Sequence, residues 1–131
     1  MQFLIDTHVF IWLHKEPSRL GHTALTLLED PYNYRYVSTV TGYEIAQKIR
    51  VGKLELEGFP EGWAHWLDEG VMEELPVRAD HAIFGGGMQW DNRDPFDRII
   101  VAQASLERMT LVTADERMLK LPLLTVLDAR K

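Results

Sequence analysis

Residues 3–13 read FLIDTHVFIWL, which is a short apolar run, an acid and a second apolar run. The continuous run Phe3-Leu4-Ile5 is typical of a strand that is covered on both faces. The residues from Val9 to Leu13 then predict a buried helix that ends before Pro17, since proline interrupts a helix interior. A buried strand followed directly by a helix predicts a parallel β-α unit, with Asp6 at the point where the strand ends.

The rest of the chain continues this alternation of strands and helices, without an internal repeat or a low-complexity linker. Further strands are predicted at 36–38, 72–77, 111–113 and 124–127, the second of them at a sheet edge because it contains Pro76. Helices are predicted at 21–29, 39–52, 59–70, 79–84, 95–109 and 116–121. This order favours an α/β fold with a central, mainly parallel sheet and helices on both faces, in a single domain over residues 1–131.

Composition limits the classes of protein to consider. The chain has no cysteine and a net charge of −6, from 14 basic and 20 acidic residues. Without cysteine there can be neither a disulfide framework nor a thiolate metal site, which agrees with a cytoplasmic location. The N-terminus lacks the basic leader of a signal peptide, and no apolar run approaches the roughly 20 residues of a membrane span. The acidic balance argues against a broad basic surface for nucleic acid, but not against an enzyme that meets nucleic acid through a bound cation.

Four acidic residues fall where strands end or helices begin. Asp6 and Asp115 follow predicted strands, and Glu44 and Asp97 lie in the early turns of predicted helices. Because ligands of open α/β sheets bind beyond the carboxyl ends of the strands, these four carboxylates could meet at one edge. Clustered carboxylates repel one another unless a cation joins them, and Mg²⁺ and Mn²⁺ are the cations that prefer such oxygen ligands.

Each acid also has a purely local explanation. Asp6 and Asp115 could be ordinary turn or cap residues, because aspartate is common in both places. Glu44 follows Thr41 at the spacing of a capping box. The residues alone leave these alternatives open.

The segment RDPFDRIIVAQA, residues 93–104, contains two aspartates at a helix entrance. Asp94 fits the helix cap, with Pro95 at the first helical position, where its missing N–H costs nothing. Asp97 then falls in the first turn, where the helix dipole favours an ionised carboxylate. The same ionisation is what a hard metal ion requires, so Asp97 is consistent with both roles.

Four segments, in this order, resemble the PIN-domain ribonucleases, and most closely the VapC toxins of prokaryotic toxin–antitoxin pairs. They are LIDTHVFIWL (4–13), VSTVTGYEIAQKIRVGKL (37–54), RDPFDRIIVAQA (93–104) and LVTAD (111–115). The resemblance spans nearly the whole chain and implies a PIN-like three-layer sandwich. It also implies a toxin that is a metal-dependent endoribonuclease, with RNA such as transfer or ribosomal RNA as its substrate. A homodimer and a small cognate antitoxin are the partners that it implies.

The resemblance assigns roles to particular side chains. A quartet of acids would be catalytic and would hold Mg²⁺ or Mn²⁺: Asp6, Glu44, Asp97 and Asp115. Asp94 would then cap its helix while Asp97 faces the metal. The hydroxyls expected to order the quartet are those of Thr113, Thr7 and Ser38.

One segment departs from the family pattern. Relatives carry a helical segment, then Leu-Pro and a histidine before DPFDR, whereas this chain reads AIFGGGMQWDNRDPFDR at residues 82–98. Glycine costs a helix roughly 1 kcal/mol relative to alanine, so we expect Gly85-Gly86-Gly87 to break the helix and loosen the rim of the site. Arg93 and Arg98 flank the acids and are candidates for contacts with substrate phosphates, although ion pairs with neighbouring acids are equally consistent with their positions.

The remaining aromatic and basic side chains carry weaker signals. The five histidines lack a metal-binding spacing and are predicted to be surface or cap residues. The tryptophans are predicted to be core or interface anchors, and Trp63, Trp66 and the apolar residues of the first helix are the candidate antitoxin contacts. A phosphatase with an aspartyl nucleophile is a rival hypothesis, but LIDTHVF lacks the second acid of a D-x-D pattern. A catalytically silent PIN scaffold that only binds a protein or RNA is the other rival.

Overall fold

One five-stranded sheet organises the molecule, and the computed structural model describes all 131 residues around it. The strands are β1 (Gln2–Ile5), β2 (Tyr34–Ser38), β3 (Met72–Leu75), β4 (Thr110–Thr113) and β5 (Val126–Asp128). Their order across the sheet is β3-β2-β1-β4-β5, and every pairing is parallel. The predicted parallel sheet is confirmed, with β3 at an edge as Pro76 indicated.

Helices connect the strands. They are α1 (Thr7–Lys15), α2 (His22–Glu29), α3 (Thr39–Arg50), α4 (Trp63–Glu69), α5 (Ala79–Gly87), α6 (Pro95–Leu106) and α7 (Glu116–Leu119). A 3₁₀ turn at Pro17–Arg19 follows α1, so Pro17 does mark the end of that helix. None of the helices combines the length and the apolar character that crossing a membrane would need.

The core lies on both faces of the sheet, because successive side chains of a strand point in opposite directions. Phe3 and Ile5 of β1 join one apolar cluster with Phe10 of α1, whereas Leu4 joins a second cluster with Ile100 of α6. All five side chains are fully buried. Burial of each contributes roughly 1.5–3 kcal/mol. The predicted α/β sandwich of three layers is therefore confirmed.

The position of β1 determines where a ligand can bind. The chain adds β2 and β3 on one side of β1 and then returns to add β4 and β5 on the other. In open α/β sheets, the carboxyl ends of strands at such a switch point leave a crevice for ligands. Helix α3 leaves directly from β2 at this edge, and α6 begins there before leading back into β4.

The prediction that the three glycines break α5 is wrong, since the helix continues to Gly87. The reason is packing between α5 and α6. A Cβ atom at Gly85 would lie only 2.8 Å from the backbone oxygen of Arg98, so the absence of a side chain allows the two helices to approach. The gain from this contact offsets the poor helix propensity of glycine.

Helix α6 is shorter than predicted and ends at Leu106 instead of Met109. Arg108 has a φ of 55°, which lies in the left-handed region and cannot continue a right-handed helix. The backbone N–H of Met109 donates to the oxygen of Ala104, and the chain then enters β4. Met109 is buried against the α6 face of the sheet. An apolar residue at this position therefore reflects burial in the core and does not indicate that the helix continues.

Candidate acid site

The four predicted acids lie at the carboxyl edge of the sheet. Asp6 follows β1 and caps α1, and Asp115 follows β4 and caps α7. Glu44 lies in the second turn of α3, and Asp97 lies in the first turn of α6. We call these four residues the acid site.

Asp6 lies at the centre of the acid site, with only 3% of its surface exposed. One carboxylate oxygen accepts hydrogen bonds from the backbone of Thr7 at 2.8 Å, and the other from the Thr113 hydroxyl at 2.7 Å. Burial raises the pKa of Asp6 to about 6, and the charges of Glu44 and Asp115 act in the same direction, although the two hydrogen bonds oppose it. Asp6 is therefore a carboxylate held in one orientation within reach of other negative charges.

The three predicted supporting hydroxyls occupy different positions. The hydroxyl of Thr113 donates to Asp6 and also accepts from the backbone N–H of Asp115, so it links two acids. The Thr7 hydroxyl is hydrogen-bonded to that of Thr41 at 2.9 Å, which joins α1 to α3 behind the acid site. Ser38 caps α3 by accepting from the N–H of Val40, and its hydroxyl forms no hydrogen bond with an acid.

The capping box predicted from Thr41 and Glu44 is wrong. Helix α3 begins three residues earlier than that pattern requires, with Ser38 as its cap, so Thr41 is already inside the helix. The Thr41 hydroxyl faces Thr7 and is fully buried. Glu44 is thus left without a role in the cap.

Asp94 caps α6 as the sequence suggested, and Asp97 makes a different contact. The Asp94 carboxylate accepts from the backbone N–H groups of Phe96 and Asp97, as a helix cap does. Asp97 instead accepts a 2.9 Å hydrogen bond from the side-chain amide of Asn92, which is itself buried. Burial raises the pKa of Asp97 to about 6, and the charges of Asp94, Asp6 and Asp115 contribute to the increase.

Arg117 lies between two of the acids. Its Nη2 atom is 3.0 Å from a carboxylate oxygen of Asp115 and 3.5 Å from one of Asp97. Partial burial by itself would raise the pKa of Asp115, but the hydrogen bonds and charge of Arg117 lower it below its ordinary value. The guanidinium therefore supplies positive charge at the point where Asp97 and Asp115 face each other.

Glu44 is the most incompletely paired acid. One oxygen forms an ion pair with Lys48 at 3.2 Å, one helical turn later. The other, Oε1, is buried and has no hydrogen-bond partner. A buried carboxylate oxygen without a partner is costly, and such groups are found where a ligand or ion completes the site.

The donor set fits a hard divalent cation by its chemistry, because it consists of carboxylate oxygens and includes the unpartnered Oε1 of Glu44. No three His, Asp or Glu side chains, however, converge closely enough to hold one metal ion together. Arg117 and Lys48 occupy carboxylate oxygens that such an ion would take. Binding of the cation would require these two basic side chains to turn away.

His8 is a functional candidate that the sequence interpretation missed. Its Nε2 accepts a 2.9 Å hydrogen bond from the N–H of Ala114, which leaves the proton on Nδ1, 3.4 Å from a carboxylate oxygen of Asp6. Burial lowers the pKa of His8 to about 4, so the ring is neutral at neutral pH. Its place two residues after Asp6 was the available signal, but that spacing matches no familiar metal motif.

Three other residues at the acid site were also not predicted: Asn92, Lys48 and Arg117. Lys48 follows Glu44 by four residues, which is an ordinary spacing for an ion pair on a helix. Arg117 follows Asp115 by two residues, a spacing that predicts no such pair within a helix. Asn92 stands two residues before Asp94, in the segment that departs from the family pattern, and no spacing connects it with Asp97.

The two arginines proposed for phosphate contacts have different environments. Arg93 is exposed and forms no salt bridge, so its guanidinium remains accessible beside α6. Arg98 instead donates to the backbone oxygens of four residues: Gly85, Met88, Trp90 and Asn92. The Arg98 side chain thereby fixes the segment between α5 and α6, and its donors are directed at the protein backbone.

Comparison with known proteins gives a consistent result. The sequence matches the PIN domain family over residues 3–123. No curated protein shows a significant match. Three solved structures have similar folds at low sequence identity, and each alignment covers nearly all of both chains.

The first is a VapBC2 complex of Rickettsia felis bound to a DNA fragment from its promoter, with 19% identity, a TM-score of 0.66, and coverage of 97% of this chain and 98% of that one. The second is a toxin–antitoxin complex of Klebsiella pneumoniae, with 19% identity, a TM-score of 0.62 and coverage of 96% of both chains. The third is a DNA-bound VapBC complex of Salmonella typhimurium, with 18% identity, a TM-score of 0.64 and coverage of 98% of both chains. The family match, together with the parallel sheet and the acids at its carboxyl edge, shows that this chain belongs to the PIN domain family.

Proposed function

We propose that this protein is a metal-dependent endoribonuclease that acts as the toxin of a toxin–antitoxin pair. The observation that carries the proposal is the acid site: four carboxylates from four segments lie at the switch point of the sheet, and one has a buried oxygen without a partner. PIN domains are generally nucleases, and a site of this composition suits a phosphodiester substrate that is approached through a cation.

The residues of the chain prepare this chemistry by position and charge. Asp6, Asp97 and Asp115 would hold Mg²⁺ or Mn²⁺, and Glu44 would complete the site directly or through water. The bound ion would activate a water molecule and stabilise charge on the scissile phosphate. Thr113 keeps Asp6 in one orientation, and Asn92 does the same for Asp97. Arg93, exposed beside α6, is available to a phosphate of the RNA.

The proposal of a toxin rests on similarity to complexes of toxins with antitoxins. By analogy, we propose a cognate antitoxin as the partner, a homodimer as the assembly and RNA in the cytoplasm as the substrate. Trp63 and Trp66 of α4 are partly buried against α1, where their rings contact Phe10 and His14. The outer surfaces of α1 and α4 therefore form one continuous candidate face for the antitoxin.

Cleavage of RNA tests the enzymatic proposal. Purified protein that has been freed of any antitoxin should cut a panel of transfer and ribosomal RNAs in Mg²⁺ or Mn²⁺, and activity should disappear in EDTA. Undiminished cleavage in EDTA would contradict the mechanism. The matched control is Asp97→Asn purified in the same way, because cleavage by a contaminating ribonuclease would persist in that preparation.

Two further measurements test the partners. Light scattering at tens of micromolar should give the mass of a dimer, and a monomer would contradict the assembly. The product of the neighbouring upstream gene should copurify when it is co-expressed, and its absence from the purified material would count against the antitoxin.

A catalytically silent PIN scaffold remains the alternative, and one observation favours it. Arg117 and Lys48 already neutralise three of the four acids, and no three side chains converge on one point. If the protein is a silent scaffold, the wild type should bind Mn²⁺ no more tightly than the Asp97→Asn variant does. Calorimetric titration of both proteins with Mn²⁺ therefore separates the alternatives, since the nuclease requires tighter binding by the wild type.

A further inference from the structure

Two aromatic side chains stand directly beside the acid site. Tyr43 precedes Glu44 in α3, and Phe96 precedes Asp97 in α6. The two rings contact each other, with their centroids 5.4 Å apart and their planes tilted by 43°. Tyr43 is 62% exposed, so much of its ring is open to solvent despite the contact with Phe96. Two separate helices thus bring one aromatic ring each to the rim of the acid site.

Tyr43 also lines an open groove. The groove has a volume of about 610 Å³ and lies between α3 and the segment that leads into α4. Its walls include the side chains of Phe59, Trp63 and Arg50. A cavity of this size and aromatic character is typical of sites for flat organic groups. The groove gives such a group room to reach the ring of Tyr43.

The surroundings are more suitable for a nucleotide than for a purely apolar group. Arg50 at the groove and Arg93 beside α6 form no salt bridges, so both guanidinium groups are accessible to phosphates. Proteins that bind single-stranded nucleic acid place cations along the backbone and aromatic rings under the bases, because every base has a face that can stack. Sequence-specific RNA recognition likewise targets unpaired bases, which can be stacked on aromatic side chains.

We propose that Tyr43, supported by Phe96, forms a stacking site for one unpaired nucleobase of an RNA bound at the acid site. The inference rests on the proposed ribonuclease function and names the form of its substrate: a single-stranded segment or loop, not a continuous duplex. The contacting rings join the two helices that carry Glu44 and Asp97, so a base stacked on Tyr43 would belong to a nucleotide near the phosphodiester that those acids act on. Tyr43 is a substrate-positioning residue under this proposal.

The test measures RNA binding separately from RNA cleavage. Binding of a fluorescein-labelled single-stranded RNA of mixed sequence is followed by fluorescence anisotropy in EDTA and low salt, where no metal-dependent cleavage occurs. Three variants are compared with the wild type: Tyr43→Leu, Tyr43→Phe and Tyr34→Leu. Tyr34 is the matched control because it is equally exposed, at 62%, but lies at the amino end of β2, away from the acids.

Stacking of one base on an aromatic ring contributes roughly 1–3 kcal/mol, so Tyr43→Leu should weaken binding about 5- to 150-fold. Tyr43→Phe and Tyr34→Leu should bind as the wild type does. Replacing the single-stranded RNA by a fully paired duplex should abolish the difference between wild type and Tyr43→Leu. Both positions are on the surface, and equal melting temperatures confirm that the three variants are folded.

Equal dissociation constants for Tyr43→Leu and Tyr34→Leu would overturn the proposal. If Tyr43→Leu instead fails to copurify a co-expressed antitoxin while its affinity for RNA is unchanged, the ring is a protein contact, and the proposal is again overturned. Failure of the proposed enzymatic function has a different signature. The wild type would then not cleave RNA in Mn²⁺, whereas the binding comparison in EDTA would still report on stacking.

Discussion

Asp97 and Asp94 share one helix entrance but differ in what they contact, and single substitutions can separate their roles. Asp97→Asn preserves shape and a hydrogen-bond acceptor for Asn92 while it removes a charge that burial disfavours. RNA cleavage should fall by orders of magnitude, whereas the melting temperature in EDTA should be unchanged or slightly higher. Mn²⁺ at a hundredfold excess over its dissociation constant should stabilise the folded wild type by roughly 2.7 kcal/mol. The variant should gain much less stability from the same Mn²⁺ concentration.

Asp94→Ala is the control for that experiment, because Asp94 only caps α6. Loss of an aspartate cap costs about 0.5–2 kcal/mol of stability. We expect denaturant unfolding to show this loss, with the increase in melting temperature on adding Mn²⁺ retained. If Asp97→Asn lowers stability in EDTA and both aspartate variants respond to Mn²⁺ as the wild type does, the four acids do not form one metal site.

Arg117 is the residue whose removal should strengthen metal binding. Its guanidinium occupies oxygens of Asp97 and Asp115 that a cation requires. Since the side chain is more than half exposed, Arg117→Ala should change stability by less than about 1 kcal/mol. Calorimetric titration with Mn²⁺ should give a several-fold lower dissociation constant for the variant. A weaker affinity would instead indicate that Arg117 orders the acids for the ion.

At the scale of elements, α5 and α6 provide a paired test of helix packing. A Cβ atom at Gly85 would collide with the backbone oxygen of Arg98, whereas one at Gly86 has no neighbour within 4 Å. Gly85→Ala should therefore destabilise the protein by about 1–3 kcal/mol. Gly86→Ala should stabilise it by up to about 1 kcal/mol through helix propensity. Urea unfolding of both variants checks the pair, and equal shifts would show that the close approach of the two helices is unimportant.

The elements also show what the sequence could and could not predict. Apolar periodicity identified every strand and helix, because burial on one face or two leaves a direct pattern. The end of α5 was predicted wrongly because glycine disfavours a helix. Only the nearby backbone of α6 explains why residue 85 has to be glycine inside this helix. The capping-box alternative for Thr41 and Glu44 did not hold, because α3 already begins after Ser38 and the Thr41 hydroxyl is hydrogen-bonded to Thr7 across the interface of two helices. Asn92 lies in a segment without regular structure, where no periodicity indicates which side chain turns inward.

At the scale of the whole molecule, the acid site should make stability depend on pH. Asp6 and Asp97 have a raised pKa of about 6, so the folded state binds their protons more readily than the unfolded state does. The stability that protonated Asp6 and Asp97 contribute is present below about pH 4 and is lost as the pH rises through 6. His8, with a pKa lowered to about 4, acts in the opposite direction and costs stability as the pH falls below 6.5.

His8→Gln should reveal this opposition. Without the histidine, its opposing contribution is absent, so the metal-free variant should gain more stability between pH 7 and 5 than the wild type does. The difference should be about 1–3 kcal/mol, since each pKa unit corresponds to about 1.4 kcal/mol. Differential scanning calorimetry at both pH values measures it, with chelator present throughout. Parallel profiles for the two proteins would contradict the assignment of His8 as a buried neutral ring.

The hydrogen bond from Thr113 to Asp6 has a consequence for synthesis of the chain. The two residues are separated by 107 positions, and β1 pairs with β4 only after residues 110–113 have been synthesised. Parallel pairings between distant segments form late, because a long loop must close before any contact rewards it. A nascent chain that still lacks residues 110–115 therefore cannot assemble the acid site, whatever its N-terminal half has folded into. On the ribosome, which extends a chain by about 5–20 residues per second, the site is completed only after residues 110–115 have been added.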